Sequence, residues 1–395
     1  MKKNIALLGT YYEQSHGDAL LFDCVEYIYS DLAKKYNLDM NFKYVDILRK
    51  TKINYENEYA KKIEDNFIKN KLKKIKFLHK LVRFIKEKKN QHVFKVYFKN
   101  QLKNMNLIVI VGGGLFKYSV RTNFVPIFKT IIKVAKKYDI PVIFNALGIE
   151  GNHNEKDKSF KELKKIMNND IIKMCSTRDR FEVLKSYIDN GNIICEKVAD
   201  TGVWTSEALK IKKKSNSNLI GLNVITPERF LDYGKNISEE DLILYWENLI
   251  CELKNRKYDI RLFVNGMIAD YEFALKIAKR CKLKRNMIFK NPSNEIEMVK
   301  NISKFRAIIA NRLHTCIASY SLDIPVVGLA WNDKLLYWGE SIQLPERFLD
   351  YNELDYRKTI EILEQAIKVG YDQKFKEDFK KSIYNFLEKS IYYIK

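Results

Sequence analysis

Short apolar runs alternate with amphipathic stretches along nearly the whole chain, and this alternation breaks off and restarts once. "IALLG" (Ile5 to Gly9) reads as a buried strand. Leu21, Cys24, Ile28 and Leu32 then recur at helical spacing, with Asp18 placed as the N-cap, and Asn41 to Leu48 reads as a second strand. Strands follow at Asn106 to Phe116, Ile140 to Gly151 and Ile171 to Ser176, with helices over Pro126 to Tyr138 and "TRDRFEVLKSYI", and "IICEKVADTGVW" closes this half. The polar stretch "KKKSNSN" (Lys212 to Asn218) interrupts. After it come strands at Leu219 to Ile225, "YDIRLFVNG", "NMIFKN", "RAIIA" and "IPVVGLA". Helices over Glu239 to Asn255, Tyr271 to Cys281 and Glu295 to Ile302 separate them, and Leu354 to Tyr393 is mostly helical. A strand cannot pair in parallel with the next one without a crossover, and a helix is the usual crossover. The pattern therefore predicts an α/β protein of two doubly wound domains facing a central cleft, 1–211 and 219–395.

Charge narrows the partners. The 395 residues include 71 Lys and Arg against 49 Asp and Glu, a formal net charge of +22. Such a balance suits an anionic substrate, an anionic membrane or nucleic acid. No nucleic-acid-binding module is recognisable, so nucleic acid is not expected as a partner. Residues 71 to 103 carry 12 basic residues and one acid, Glu87, while Leu72, Ile75, Leu78 and Ile85 keep helical spacing. This predicts a basic amphipathic insertion at about 56–103, suited to an anionic membrane surface. The six cysteines show no C-x-x-C spacing, and none pairs with nearby histidines in the spacing of a zinc site, so no metal site is expected. There is no apolar run of membrane-spanning length, and the N-terminal run is too short for a signal peptide. The expected location is cytoplasmic, peripheral at the inner membrane face.

In doubly wound sheets, ligands bind beyond the carboxyl ends of the strands. Asn311, Arg312 and His314 follow the strand "RAIIA" and open the next helix. Free N–H groups at a helix start favour an anion, and arginine holds carboxylate or phosphate through paired donors. Histidine moves a proton near neutral pH. Gly112, Gly113 and Gly114 also follow a strand, either letting a ligand approach or making a tight strand-to-helix turn. They do not form G-x-G-x-x-G, so a dinucleotide fingerprint is absent. Gly17 and Asp18 sit at the first strand–helix junction, where Asp18 caps the helix or meets substrate hydroxyls. Arg178 in "CSTRD" supplies a second cation or pairs with Asp179 or Glu182, and His16 lines the cleft. His79, His92 and His153 lie in polar surroundings and read as solvated.

Together, "HGDALL", "VIVGGGLF", "FNALGIEG", "STRD" and "NRLHTCIASYSLDIPVVGLAWNDK" resemble the polysaccharide pyruvyl transferases, over roughly Ile5 to Gly339. The resemblance implies a GT-B-like fold of two Rossmann-like domains. It also implies transfer of the pyruvyl group of phosphoenolpyruvate to two hydroxyls of a sugar or lipid-linked glycan. The product is a cyclic ketal on a cell-surface polysaccharide of the capsule or exopolysaccharide kind. Phosphoenolpyruvate is the donor substrate, and no separate cofactor is implied. The family's R-x-H arginine and histidine fall on Arg312 and His314, its S-x-R-D arginine on Arg178 and its later lysine on Lys334. Asn311 and Leu313 belong to the same motif and are assigned to substrate binding with Lys334, Gly112 to Gly114, Gly17, Asp18 and His16. In this assignment Arg312, Arg178 and Lys334 hold the donor anion and His314 protonates its methylene. Two departures stand out: His16 where asparagine is usual, and "ADTGVW" where the family has Asp-Pro. The alternative is a GT-B nucleotide-sugar-dependent glycosyltransferase of surface glycan assembly.

Overall fold

The computed structural model describes residues 2–53, 91–118, 123–214 and 218–394. Its first sheet is wholly parallel, in the order β2–β1–β3–β5–β6–β7. The strands are β1 (Lys3–Gly9), β2 (Met40–Asp46), β3 (Leu107–Ile110), β5 (Val142–Ile149), β6 (Ile172–Thr177) and β7 (Ile194–Lys197). β4 (Gly113–Phe116) lies past the end of β3 and pairs with β5. The second sheet, also parallel, runs β12–β11–β10–β8–β9. It comprises β8 (Leu219–Asn223), β9 (Asp259–Phe263), β10 (Ala307–Ala310), β11 (Val326–Ala330) and β12 (Phe348–Asp350). Every residue of β3, β10 and β11 is buried, as expected of strands covered by helices on both faces.

In each sheet the chain winds outwards in one direction from the first strand and in the other from the third. The reversal opens a crevice between β1 and β3 and another between β8 and β10, both at carboxyl ends. α1 (Gly17–Lys35) follows β1, and α10 (Leu313–Ser321) follows β10. α11 (Asp333–Ser341) follows β11, with the Asn332 side chain accepting from the Lys334 N–H. These helix starts meet between the sheets. The last helix, spanning Gln373–Lys389, returns to the first half of the chain. There Tyr384 donates to Asp31 at 2.8 Å, and Ser382 accepts the Ala199 N–H at 2.9 Å.

Several expectations are corrected. Asp18 does not cap α1; His16 takes the cap position without a side-chain bond. The glycine run does not turn into a helix but carries the chain on as β4. "NMIFKN" forms a 3₁₀ turn over Arg285–Met287 and a single bridge from Leu262 to Ile288, the turn taking up the residues that would have started a ladder. The helix after β6 spans only Phe181–Lys185, and β12 was not foreseen. Most of the basic 71–103 segment lies outside the described residues. Its final part, 91–102, is helical, with Phe98 and Leu102 buried in the first domain's core.

Candidate active site

Between the two crevices lies a cleft of about 550 Å³. Arg178, Arg312, Leu313, His314, Lys334, Gly114 and Asp18, all singled out from the sequence, line it. Lys50, Lys117 and Arg229 add further positive charge to the wall, against the carboxylates Glu13, Asp18 and Glu150.

Arg312 enters from the β10–α10 junction, where Asn223 of β8 fixes the backbone. The Asn223 side-chain oxygen accepts the Arg312 N–H at 3.2 Å and its carbonyl accepts the Asn311 N–H at 3.1 Å. The guanidinium donates from Nε (2.9 Å) and Nη2 (2.5 Å) to one oxygen of Asp270. Asp270 is fully buried near the start of the helix Ile268–Arg280, and its other oxygen accepts the Thr226 N–H. Arg312 therefore stands rigidly, with Nη1 free of protein hydrogen bonds among the described residues.

Arg178 is arranged the same way. Its Nη1 pairs with the buried Asp200, whose other oxygen accepts the Gly202 N–H. Burial alone would lower the guanidinium's pKa; Asp200, Asp179 and Asp18 reverse this and hold it above its ordinary value.

His314 occupies the second position of α10, its ring pressed against the start of α1. A Cβ at Gly17 would come within 2.1 Å of His314 Nδ1, so this approach demands glycine. Nδ1 lies 3.9 Å from Asp18 Oδ1, while Asp18 Oδ2 accepts from Thr10 at 2.9 Å. The other nitrogen, Nε2, is buried with no hydrogen-bond partner among the described residues. Burial lowers the ring's pKa; Asp18 and Asp200 oppose the shift, and Arg178 and Lys334 add to it.

Lys334 spans the cleft to Glu150, just past β5, at 2.6 Å. Glu150 also accepts from Tyr233 at 2.6 Å and lies 3.4 Å from Lys117. Burial would raise this carboxyl's pKa, but Lys334 and Lys117 overcome that and bring it to about 2. Burial likewise lowers the Lys334 ammonium's pKa, with Glu150 opposing.

The other sequence candidates lie behind the wall. Asn311 is buried, its amide donating to the Leu329 carbonyl at 3.1 Å. His16 sits in the seam between the domains, Nε2 at 2.9 Å from the Pro292 carbonyl. Burial lowers its pKa as well. Gly112 leaves room for the Ala146 carbonyl, 2.7 Å from where a Cβ would stand, and Gly113 has φ +88°. Gly114 makes way for the Glu150 carboxylate, which a Cβ would meet at 1.7 Å. The glycines thus open space for protein groups. His153 is not solvated: its ring stacks on Phe116, Nδ1 meets the Tyr187 hydroxyl at 2.6 Å and Nε2 the Glu150 carbonyl at 3.1 Å.

Three acids escaped the sequence reading: Asp270, Asp200 and Glu150. Asp200 and Glu150 lie inside the quoted stretches "ADTGVW" and "FNALGIEG", whereas no local pattern distinguishes Asp270.

The family model for polysaccharide pyruvyl transferase matches residues 16–333. The chain belongs to the polysaccharide pyruvyl transferase family. It is a transferase, and the match ends one residue short of Lys334. Comparison with curated protein sequences returns no match. Solved structures similar to this transferase include the UDP-GlcNAc 2-epimerase of Methanocaldococcus jannaschii, with TM-score 0.59 and 13% identity over 99% of this chain and 100% of that one. A putative UDP-N-acetylglucosamine 2-epimerase from Listeria monocytogenes gives 0.57 and 10% over 99% and 96%. The Neisseria meningitidis UDP-GlcNAc 2-epimerase gives 0.52 and 13% over 100% and 99%. At such identities the likeness concerns the fold, which is GT-B: two Rossmann-like domains around a cleft. No described helix is long and apolar enough to cross a membrane.

Proposed function

We propose that this pyruvyl transferase family member moves the pyruvyl group of phosphoenolpyruvate onto two hydroxyls of a surface-polysaccharide sugar, closing a cyclic ketal. The observation that supports this most directly is His314 Nε2, buried and without a hydrogen-bond partner among the described residues, in a cleft that also presents Arg178, Arg312 and Lys334. The donor's carboxylate and phosphate require several cations, and its methylene carbon requires a proton. In this reading the two arginines, braced from behind by Asp200 and Asp270, hold the anion with the N–H groups their braces leave unused. Protonated His314 gives its proton to the methylene and the neighbouring carbon becomes electrophilic. One hydroxyl adds there, phosphate leaves, and the second hydroxyl closes the ring. Two hydroxyl protons are released: one restores His314 and one leaves on the phosphate. Positioned acid–base catalysis of this kind is worth about 10²–10⁴-fold.

The test is phosphate release from phosphoenolpyruvate against a panel of sugar acceptors, with products weighed by mass spectrometry. A product heavier by one pyruvyl ketal supports the reading. Turnover of a nucleotide sugar with none of phosphoenolpyruvate would replace it with the glycosyltransferase alternative.

A further inference from the structure

The three cations offered to the donor are each matched by a buried acid, but not in the same way. Arg178 and Arg312 are braced from their own domains, by Asp200 and Asp270. A guanidinium has five N–H donors, so such a brace leaves others for a ligand. Lys334 is matched from across the cleft. Glu150 extends from the end of β5 and meets Lys334 and Tyr233, both from the second domain. An ammonium is a single point charge, and a donor anion at Lys334 would be forced against the Glu150 carboxylate at close range.

We propose that Glu150 is a further catalytic residue of the pyruvyl transfer: its carboxylate holds Lys334 in the empty cleft, the donor anion displaces it, and the released carboxylate takes the proton of the first attacking acceptor hydroxyl. The proposal rests on the pyruvyl-transfer reading above. The carboxylate is poised for exchange. It is buried, yet it lines the same cleft as His314, and Gly114 is bare so that it fits. The charged and titratable groups around it are Lys334, Lys117 and Tyr233, with the Arg178–Asp179 pair close by. While Lys334 and Lys117 hold it, it is a very weak base. Once Lys334 turns to the donor, burial dominates and the carboxylate becomes a stronger one. The other lining carboxylates are engaged differently: Glu13 pairs with Lys50 at 2.6 Å, and Asp18 faces Thr10 and His314.

The protons balance. His314 protonates the methylene carbon, the first hydroxyl loses its proton to Glu150, and Glu150 passes it to the departing phosphate. The second hydroxyl's proton restores His314. Donor binding must then come before acceptor activation.

The experiment uses Glu150→Gln, nearly isosteric and still able to meet Tyr233, with Glu150→Asp as the conservative variant. Binding of phosphoenolpyruvate and, separately, of inorganic phosphate is measured by calorimetry, and turnover is followed across pH. Glu150→Gln should bind anions at least about tenfold more tightly, because the internal competitor is gone. Its kcat should fall at least about 10²-fold, on the scale of a lost general base, and the acid limb of the kcat–pH profile should vanish. Glu150→Asp should recover part of the turnover and keep that limb. Weaker anion binding by Glu150→Gln would overturn the exchange, and an unchanged kcat would overturn the proton role. If phosphate shows the difference and phosphoenolpyruvate binds neither protein, the exchange stands and the choice of donor fails.

Discussion

At the residue scale, the site consists of charges whose freedom has been removed. Arg312 spends Nε and Nη2 on Asp270 and so presents its remaining donors in one orientation. Lysine keeps the charge but loses the planar fork. Arg312→Lys should therefore weaken phosphoenolpyruvate binding at least about tenfold, about 1.4 kcal/mol, as calorimetry would show; unchanged affinity would make Arg312 a purely structural residue. His314→Ala should leave donor binding intact and lower kcat by roughly 10²-fold or more. A folded variant with normal turnover would remove His314 from the mechanism. Since burial lowers the His314 pKa below its usual 6.5, the free protein holds the ring neutral at pH 7. Protonation is what the reaction needs, so kcat/KM should fall as pH rises through that lowered value. The profile of kcat should lie at higher pH, because the bound donor's negative charges favour the imidazolium. A kcat/KM that climbs over the same range would contradict His314 as the acid.

At the element scale, glycines decide how closely strands and helix starts approach one another. Gly17 begins α1 directly under His314. Gly17→Ala should leave the sheets folded but move the imidazole, so turnover should drop about as far as in His314→Ala, with circular dichroism unchanged. Native turnover in this variant would show that the contact is not functional. His153 tests another junction, between β5 and the helix Lys158–Met167. Packed against Phe116 and Tyr187, it is kept neutral by burial, with a pKa of about 4. The unfolded chain takes up this proton first, so the stabilisation is complete above about pH 6.5 and is lost as pH falls towards 4. Replacing His153 with Gln should flatten the pH dependence of the urea midpoint between pH 6.5 and 4. An identical slope in the variant would assign the acid sensitivity elsewhere.

At the scale of the whole molecule, the two domains are joined through the cleft itself. Lys334 and Tyr233 of the second domain reach Glu150 of the first, and His314 of the second faces Gly17 and Asp18 of the first. A donor held by Arg178, Arg312 and Lys334 would bridge both halves. A ligand that binds only the folded state contributes about 2.7 kcal/mol at a hundredfold excess over Kd. Phosphoenolpyruvate should thus raise the melting temperature while UDP-, GDP- and CMP-sugars leave it flat, and Arg312→Ala should abolish the rise. The reverse pattern would favour the glycosyltransferase alternative. The basic segment 71–103 gives a separate test. With about 1 kcal/mol per basic residue near an anionic surface, screened by salt, the protein should sediment with anionic liposomes at low salt and stay in solution at high salt. Recovery in the supernatant under every condition would dismiss the membrane role.

Local pattern located most of the long strands and helices, because these depend on short-range periodicity and on burial of contiguous apolar runs; it missed β4 and β12 and misplaced the cap of α1. Glu239–Asn255 and Glu295–Ile302 are helices over the ranges read from the sequence. The strand-end rule brought Arg178, Arg312, His314 and Lys334 into one cleft, since doubly wound topology collects those ends at its crevices. Tertiary packing decided the rest. Asp270 lies 42 residues from Arg312, and Glu150 is 184 residues from Lys334, so no local signal links them. The roles of the glycines also became visible only in three dimensions, for what a missing Cβ permits depends on the atom that fills its space. Asp18 is the clearest case: the sequence leaves it between a helix cap and a substrate contact, and only the second domain, which sets His314 beside it, places it in the cleft and not at the cap.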